Sequence, residues 1–174
     1  MAHASAHGST TEIAQRIADV LRHEGAVADV VPVGRIEELE AYDAVVLGSA
    51  VHGQAWLPAA TEFVHRRAAE LRARPVWLFS VGMSGGLPRI VRGAARSGQD
   101  RRLADALRDV ARPRGHRLFS GVCRQDQLPR WGGVLFRGMG GHFGDYRDWT
   151  AIEAWAREIA EELAPGPATP PGKP

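Results

Sequence analysis

Three hydroxyls, from Ser5, Ser9 and Thr10, crowd around Gly8 near the start of the chain, and the segment Ser5-Ala6-His7-Gly8-Ser9-Thr10 runs straight into a helical pattern. Residues of these types at this spacing can hold a phosphate without a metal. Hydroxyls and unpaired backbone N–H groups donate to it, and the positive end of the helix dipole lies behind them. Ser9 with Glu12 three positions later reads as a capping box with Ser9 at the N-cap, and Ile13, Ile17, Val20 and Leu21 form the stripe that faces a core. The same signature caps many helices that bind nothing, so the phosphate reading needs support from the rest of the chain. Related motifs are excluded by what they lack. A nucleotide P-loop requires Gly-Lys-Ser/Thr, a dinucleotide fingerprint requires three spaced glycines after the first strand, and a phospho-acceptor receiver domain requires acids where His3-Ala4-Ser5 stands.

The elements that must position this loop alternate between strand and helix. Val27 to Val31 is β-rich and partly alternating, as an edge strand would be. Ala44 to Leu47 and Val76 to Phe79 are unbroken apolar runs, as strands covered on both faces would be. Between them Ala59, Phe63, Val64, Ala68 and Leu71 mark one helix that begins near Pro58, a residue suited to a first turn. Leu103, Leu107 and Val110 mark another helix, Arg117 to Val122 reads as a strand, and Ile152, Trp155, Ala156, Ile159 and Leu163 mark a closing helix with Asp148 at its N-cap. This order specifies an α/β doubly wound parallel sheet whose ligands lie at the carboxyl ends of the strands.

Three loops meet at that edge: Ser5 to Thr10, Gly48 to Trp56, and Ser80 to Gly86. Each is rich in glycine or small residues, so backbone can approach a flat ligand closely, while Val51, Trp56 and Met83 offer apolar surface to a ring system. Phosphate at one loop with a ring at two others describes flavin mononucleotide, FMN.

On these residues the chain resembles the flavodoxin family, and more closely its branch of menaquinone-dependent protoporphyrinogen oxidases. The similarity runs from Ala4 to Leu163. It is carried most specifically by Ala4 to Thr10, by Tyr42-Asp43-Ala44-Val45-Val46-Leu47-Gly48-Ser49-Ala50-Val51, and by Gly144-Asp145-Tyr146-Arg147-Asp148-Trp149. The resemblance implies a flavodoxin-like sheet of five parallel strands in the order 2-1-3-4-5. It places the FMN phosphate at Ser5, Ala6, His7, Gly8, Ser9 and Thr10. The isoalloxazine then lies between Ser49, Ala50, Val51, His52, Gly53 and Trp56 on one side and Ser80, Val81, Gly82 and Met83 on the other. The Gly144 to Trp149 segment stays outside the expected site, because a helix cap at Asp148 and packing by Trp149 account for it.

Two departures from the family pattern bear on function. Only Met1-Ala2-His3-Ala4 precede Ser5, where relatives open with five or six apolar strand residues. The expectation is a truncated central strand, with the true start upstream and better flavin retention once the strand is restored. In the loop after the fourth strand, Val81, Met83 and glycines stand where electron-shuttling flavodoxins place a covering tyrosine. An open ring face suits a flat substrate such as a quinone or a porphyrinogen, with His52 as a candidate proton donor because imidazole titrates near neutrality. The activity implied is quinone-linked oxidation of a porphyrinogen-like substrate. The alternatives are an electron-transfer protein that serves a redox protein partner, or a flavin-free module.

Composition sets the outer bounds. The chain has 174 residues, 44% of them hydrophobic, and no apolar run approaching the ~20 residues of a membrane span. Residues 1–164 read as one FMN-binding domain, and the proline-rich residues 165–174 as a disordered tail. The single Cys123 cannot form an internal disulfide, which with the absent secretory signal points to the cytoplasm. Between Arg66 and Arg137 stand 16 arginines against 5 acids, a local net charge of +11. A solvated surface explains that asymmetry, and so does peripheral contact with an anionic membrane face. Nucleic acid is not expected, because the arginines are not interleaved with aromatics. Residues 124–147 are too apolar for an ordinary loop and read as a flap or a lid. The sequence leaves oligomeric state open, a homo-oligomer included.

Overall fold

The computed structural model describes residues 1–53, 55–82, 107, 109–125, 137–138 and 142–164. Five parallel strands form its centre: β1 (Ala2–Ala4), β2 (Val31–Pro32), β3 (Val45–His52), and two more separated from β3 by a short strand, β4 (Ala55–Trp56), which folds back antiparallel on its end. Those two are β5 (Val76–Gly82) and β6 (Gly115–Ser120), and the order across the sheet is β2-β1-β3-β5-β6. Counting parallel strands only, that is the 2-1-3-4-5 order the sequence implies. A second, two-stranded antiparallel sheet pairs β7 (Val122–Cys123) with β8 (Gly144–Asp145).

Alternation along the strands explains the layers. Val45 and Leu47 of β3 with Val76 and Leu78 of β5 face one way, against Ala60, Phe63 and Val64 of α2 (Pro58–Arg66) and Leu71 of α3 (Ala68–Arg72). Val46, Trp77, Phe79 and Phe119 face the other way, against α1 (Ser9–His23) and the C-terminal helix α4 (Trp149–Leu163). Ile13, Ile17, Ile152 and Ile159 are wholly buried in that second layer, where each such side chain contributes roughly 1.5–3 kcal/mol. Phe79, Phe119 and Trp155 pack edge to face there with centroids 5.6–6.2 Å apart.

Several elements differ from the sequence expectation, each for a local reason. The edge strand shrinks to Val31–Pro32, and Val27 is 99% exposed. Pro32 has no N–H to extend the ladder, and a 3-10 turn over Val33–Arg35 follows it at once. The expected single helix from Pro58 to Leu71 is two, broken at Arg67, whose φ of −104° leaves the helical range. Arg67 instead directs its guanidinium to Glu70 and to the Glu37 carbonyl. The strand expected over Arg117 to Val122 is β6, ending at Ser120, and the chain then turns at Gly121 into β7. Helical residues at Leu107 and Asp109–Ala111 fall within the helix expected there. Leu103, the proline-rich tail, half of the arginine-rich segment and most of 124–147 lie outside the described residues.

β1 is short and central, as expected: it has three residues, all buried, in the middle of the sheet. Asp148 caps α4 as expected, its carboxylate accepting from the Ala151 N–H at 3.0 Å.

Candidate functional site: a phosphate cradle at the strand ends

At the carboxyl edge of β1, β3, β5 and β6 the loops converge on a small pocket with a volume of about 100 Å³. Its wall comprises Ser5, Ala6, His7, Ser9, Thr10, Ala50, Val51, His52, Val81, Gly82, Gly121 and Val122. Larger clefts open at the opposite edge, around Met1, Asp29 and Tyr42. The carboxyl edge is nevertheless where a doubly wound sheet takes its ligand, and there the amides at the start of α1 lie beside serine hydroxyls.

The cap of α1 differs from the expected capping box. Gly8, not Ser9, is the N-cap, in the left-handed region at φ 91°, and no side chain caps the helix. A glycine takes that conformation without Cβ strain, so the loop can turn sharply into the helix. The first helical bond runs from the Glu12 N–H to the Gly8 carbonyl at 3.0 Å. The N–H groups of Ser9, Thr10 and Thr11 therefore have no acceptor within the helix.

With no cap to make, the serines do something else. Ser5 Oγ accepts from the Gly8 N–H at 2.9 Å, which closes the loop on itself. Ser9 Oγ accepts from the Val122 N–H at 3.4 Å, which binds the loop after β6 to the start of α1. In both cases a protein N–H engages the oxygen, so the hydroxyl hydrogen remains to donate. Thr10, only 1% exposed, still reaches the pocket wall. Donors face the pocket here, and among the described residues no lysine or arginine is on its wall.

The second and third loops supply small apolar surface. Ala50, Val51, Val81 and Gly82 line the wall, and His52 stands exposed at the end of β3. Gly53 makes the turn that follows, at φ 57°. Ser49, Trp56 and Ser80 do not reach the wall; all three are buried behind it. Trp56, expected to line the ring, thus lies behind the pocket wall. The Trp56 indole N–H donates to Ser80 Oγ at 2.7 Å, Ser80 Oγ also bonds His116 Nε2 at 2.8 Å, and the Leu57 N–H donates to Ser49 Oγ at 3.1 Å. Together they clamp the β3–β4 turn to β5 and β6. Met83 lies outside the described residues.

Sequence reasoning missed Gly121 and Val122. The Gly121 N–H donates to the Gly82 carbonyl at 2.8 Å, and a Cβ on Gly121 would come within 2.8 Å of Val81 Cγ1. A glycine directly after an expected strand, at the ligand edge, was the available signal.

Comparison with known proteins settles the family. Residues 1–137 match the family model described as a flavodoxin domain. The chain belongs to the flavodoxin-domain family. It is 30% identical over 167 residues to the protoporphyrinogen IX dehydrogenase [quinone] of Escherichia coli strain K12, covering 88% of this chain and 89% of that one. Among solved structures it is similar to oxidised flavodoxin 1 of Bacillus cereus, with a TM-score of 0.58, 17% identity, and coverage of 94% and 97%. It is also similar to the rubredoxin oxygen:oxidoreductase of Desulfovibrio gigas, with a TM-score of 0.53 and 14% identity. That match covers 93% of this chain but only 35% of the longer one.

This flavodoxin-like chain is thus a flavoprotein with FMN as its cofactor, and the site's chemistry fits the group. A dianionic ester suits a wall whose serine hydroxyls each accept one backbone N–H and keep their hydrogen to donate, beside three helix amides without internal acceptors. A flat ring suits a glycine-backed, small apolar wall. No helix among the described residues is long and apolar enough to cross a membrane.

Proposed function

We propose that this flavoprotein catalyses quinone-linked oxidation of a porphyrinogen-like substrate. The observation that carries the reading is the match along nearly the full length of both chains to a protoporphyrinogen dehydrogenase that uses quinone. The site geometry supports it. When bound, FMN supplies a reversible acceptor of two electrons with their protons. Ser5, Ser9, Thr10 and the first amides of α1 hold its phosphate, and Ala6, His7 and Gly8 shape the loop around it. Ala50, Val51, Val81 and Gly82 flank the ring. Small side chains at these positions leave room for a planar substrate above the ring.

His52 carries the proton role. It is exposed on the rim at the end of β3, where an imidazole can exchange protons with solvent and with a reacting group. A long-chain quinone resides in a bilayer, so the enzyme works as a peripheral protein at a cytoplasmic membrane face. The excess of arginine between positions 66 and 137 supplies attraction to anionic lipid. Residues 1–164 form the catalytic domain.

The test is anaerobic oxidation of protoporphyrinogen with menaquinone as acceptor, followed by the fluorescence of the porphyrin product. Turnover that requires both FMN and quinone is expected, and His52→Ala should lower it about a hundredfold while FMN binding persists. An FMN-loaded protein that leaves the porphyrinogen unoxidised contradicts the proposal and favours a pure electron carrier.

A further inference from the structure

We propose that Arg147 is a positioning residue for the cofactor phosphate, acting through Glu12. It neutralises and holds aside a carboxylate that would otherwise oppose the anion. The inference rests on the FMN reading of the pocket and extends it to a side chain outside the pocket wall.

Glu12 is an awkward residue where it stands. It lies in the first turn of α1, four positions after the cap, and a Cβ on Gly8 would meet Glu12 Oε1 at 3.8 Å. A carboxylate there favours the bare helix through the dipole, yet it places a negative charge beside a loop whose donors all await an anion. Its other oxygen, Oε2, accepts from Arg147 Nη1. One carboxylate thus faces the cradle on one side and a guanidinium on the other.

Arg147 is built to hold that position. Its Nε donates to both oxygens of Asp145, at 2.8 and 3.1 Å, and its guanidinium stacks 4.6 Å from the centroid of the Trp149 ring. The side chain is only 11% exposed, against 54% for Glu12 and 48% for Asp145. A planar fork fixed by a bidentate carboxylate and an aromatic face holds its positive charge beside Glu12. Charge around it is shared: Arg124 also acts on Asp145, and Arg16 covers Trp149 at 5.4 Å while pairing with Glu153. The segment is anchored beside the cradle as well. The Tyr146 N–H donates to the Gly121 carbonyl at 3.3 Å, next to the Val122 N–H that holds Ser9.

The charge effect and a merely structural role separate on phosphate dependence. FMN and riboflavin share the ring and the ribityl chain, and only FMN carries the charge. The experiment titrates each flavin into apoprotein at low ionic strength and reads the quenching of flavin fluorescence, for wild type, Arg147→Ala, Glu12→Gln and the double variant. Circular dichroism melts of the apoproteins run alongside. Arg147→Ala should weaken FMN about tenfold, an effect that shrinks with added salt, and leave riboflavin unchanged. Glu12→Gln in that background should recover most of the loss, and Arg147→Lys should keep most of the affinity. Equal losses for both flavins, or no recovery on removing the Glu12 charge, would overturn the proposal. Wild-type protein with no saturable FMN binding would overturn the flavin reading with it, so the two failures are distinguishable.

Discussion

The cradle depends on individual hydroxyls that are held by backbone N–H groups and keep their hydrogens to donate. Ser5 is the clearest case, since its Oγ accepts from Gly8 and its hydrogen remains to donate. Ser5→Ala removes both functions. It should weaken FMN about tenfold and lower apoprotein stability by about 1 kcal/mol, read by flavin titration and by denaturant unfolding. Gly48 presents a different constraint, because a Cβ there would fall 1.9 Å from Phe79 Cζ in the middle of the sheet. Gly48→Ala should therefore cost about 3 kcal/mol through displaced aromatic packing, with a correspondingly lower melting temperature. At this scale the sequence was only half legible. Ser5, Ser9 and Thr10 were readable as an anion loop, but the capping box was not real: Gly8 takes the left-handed cap, and Glu12 turns to Arg147. Which atom a serine oxygen accepts from is set by chain remote in sequence, here Val122, and no local pattern encodes it.

Among the elements, strongly periodic segments were legible and marginal ones were not. The stripe of α1, the two buried strands β3 and β5, and the cap of α4 follow directly from apolar spacing and from Asp148. Asp148→Ala should destabilise the protein by about 1 kcal/mol through the orphaned Ala151 N–H, with denaturant unfolding as the readout. The short strands β4, β7 and β8 carry too few residues to show a period. They form because β3 overruns the sheet and because β6 turns at Gly121 to meet the segment before α4. The placement of Trp56 was hidden for a related reason. An aromatic beside glycines looks like ligand surface, but β4 folds it inward, where its N–H finds Ser80.

For the whole molecule, the consequential feature is a titratable group in the central strand. His3 is 5% exposed, and burial, aided by the nearby terminal amine, holds its imidazole below the ordinary value of 6.5. A histidine with a depressed folded pKa binds its proton more readily in the unfolded chain. Its full contribution to stability is present above about pH 6.5 and is lost as the pH falls below that value. Apoprotein melting temperature should decline between pH 7.5 and 5.5, and His3→Gln should flatten the slope; an unchanged slope would remove His3 from the account. The doubly wound class was legible at this scale because unbroken apolar runs separated by helices permit few sheets, and the strand order followed from the resemblance to the flavodoxin family. The packing of two layers on a three-residue β1 was not, since it depends on neighbours on both sides.

The most direct measurement is paired calorimetry of the apoprotein with FMN and with riboflavin. Charge-assisted bonds from two serines and three helix amides predict a single saturable FMN site, with riboflavin weaker by about a hundredfold or more. Equal affinity for the two flavins, or no saturable heat with FMN, would contradict the claim that this loop is a phosphate cradle.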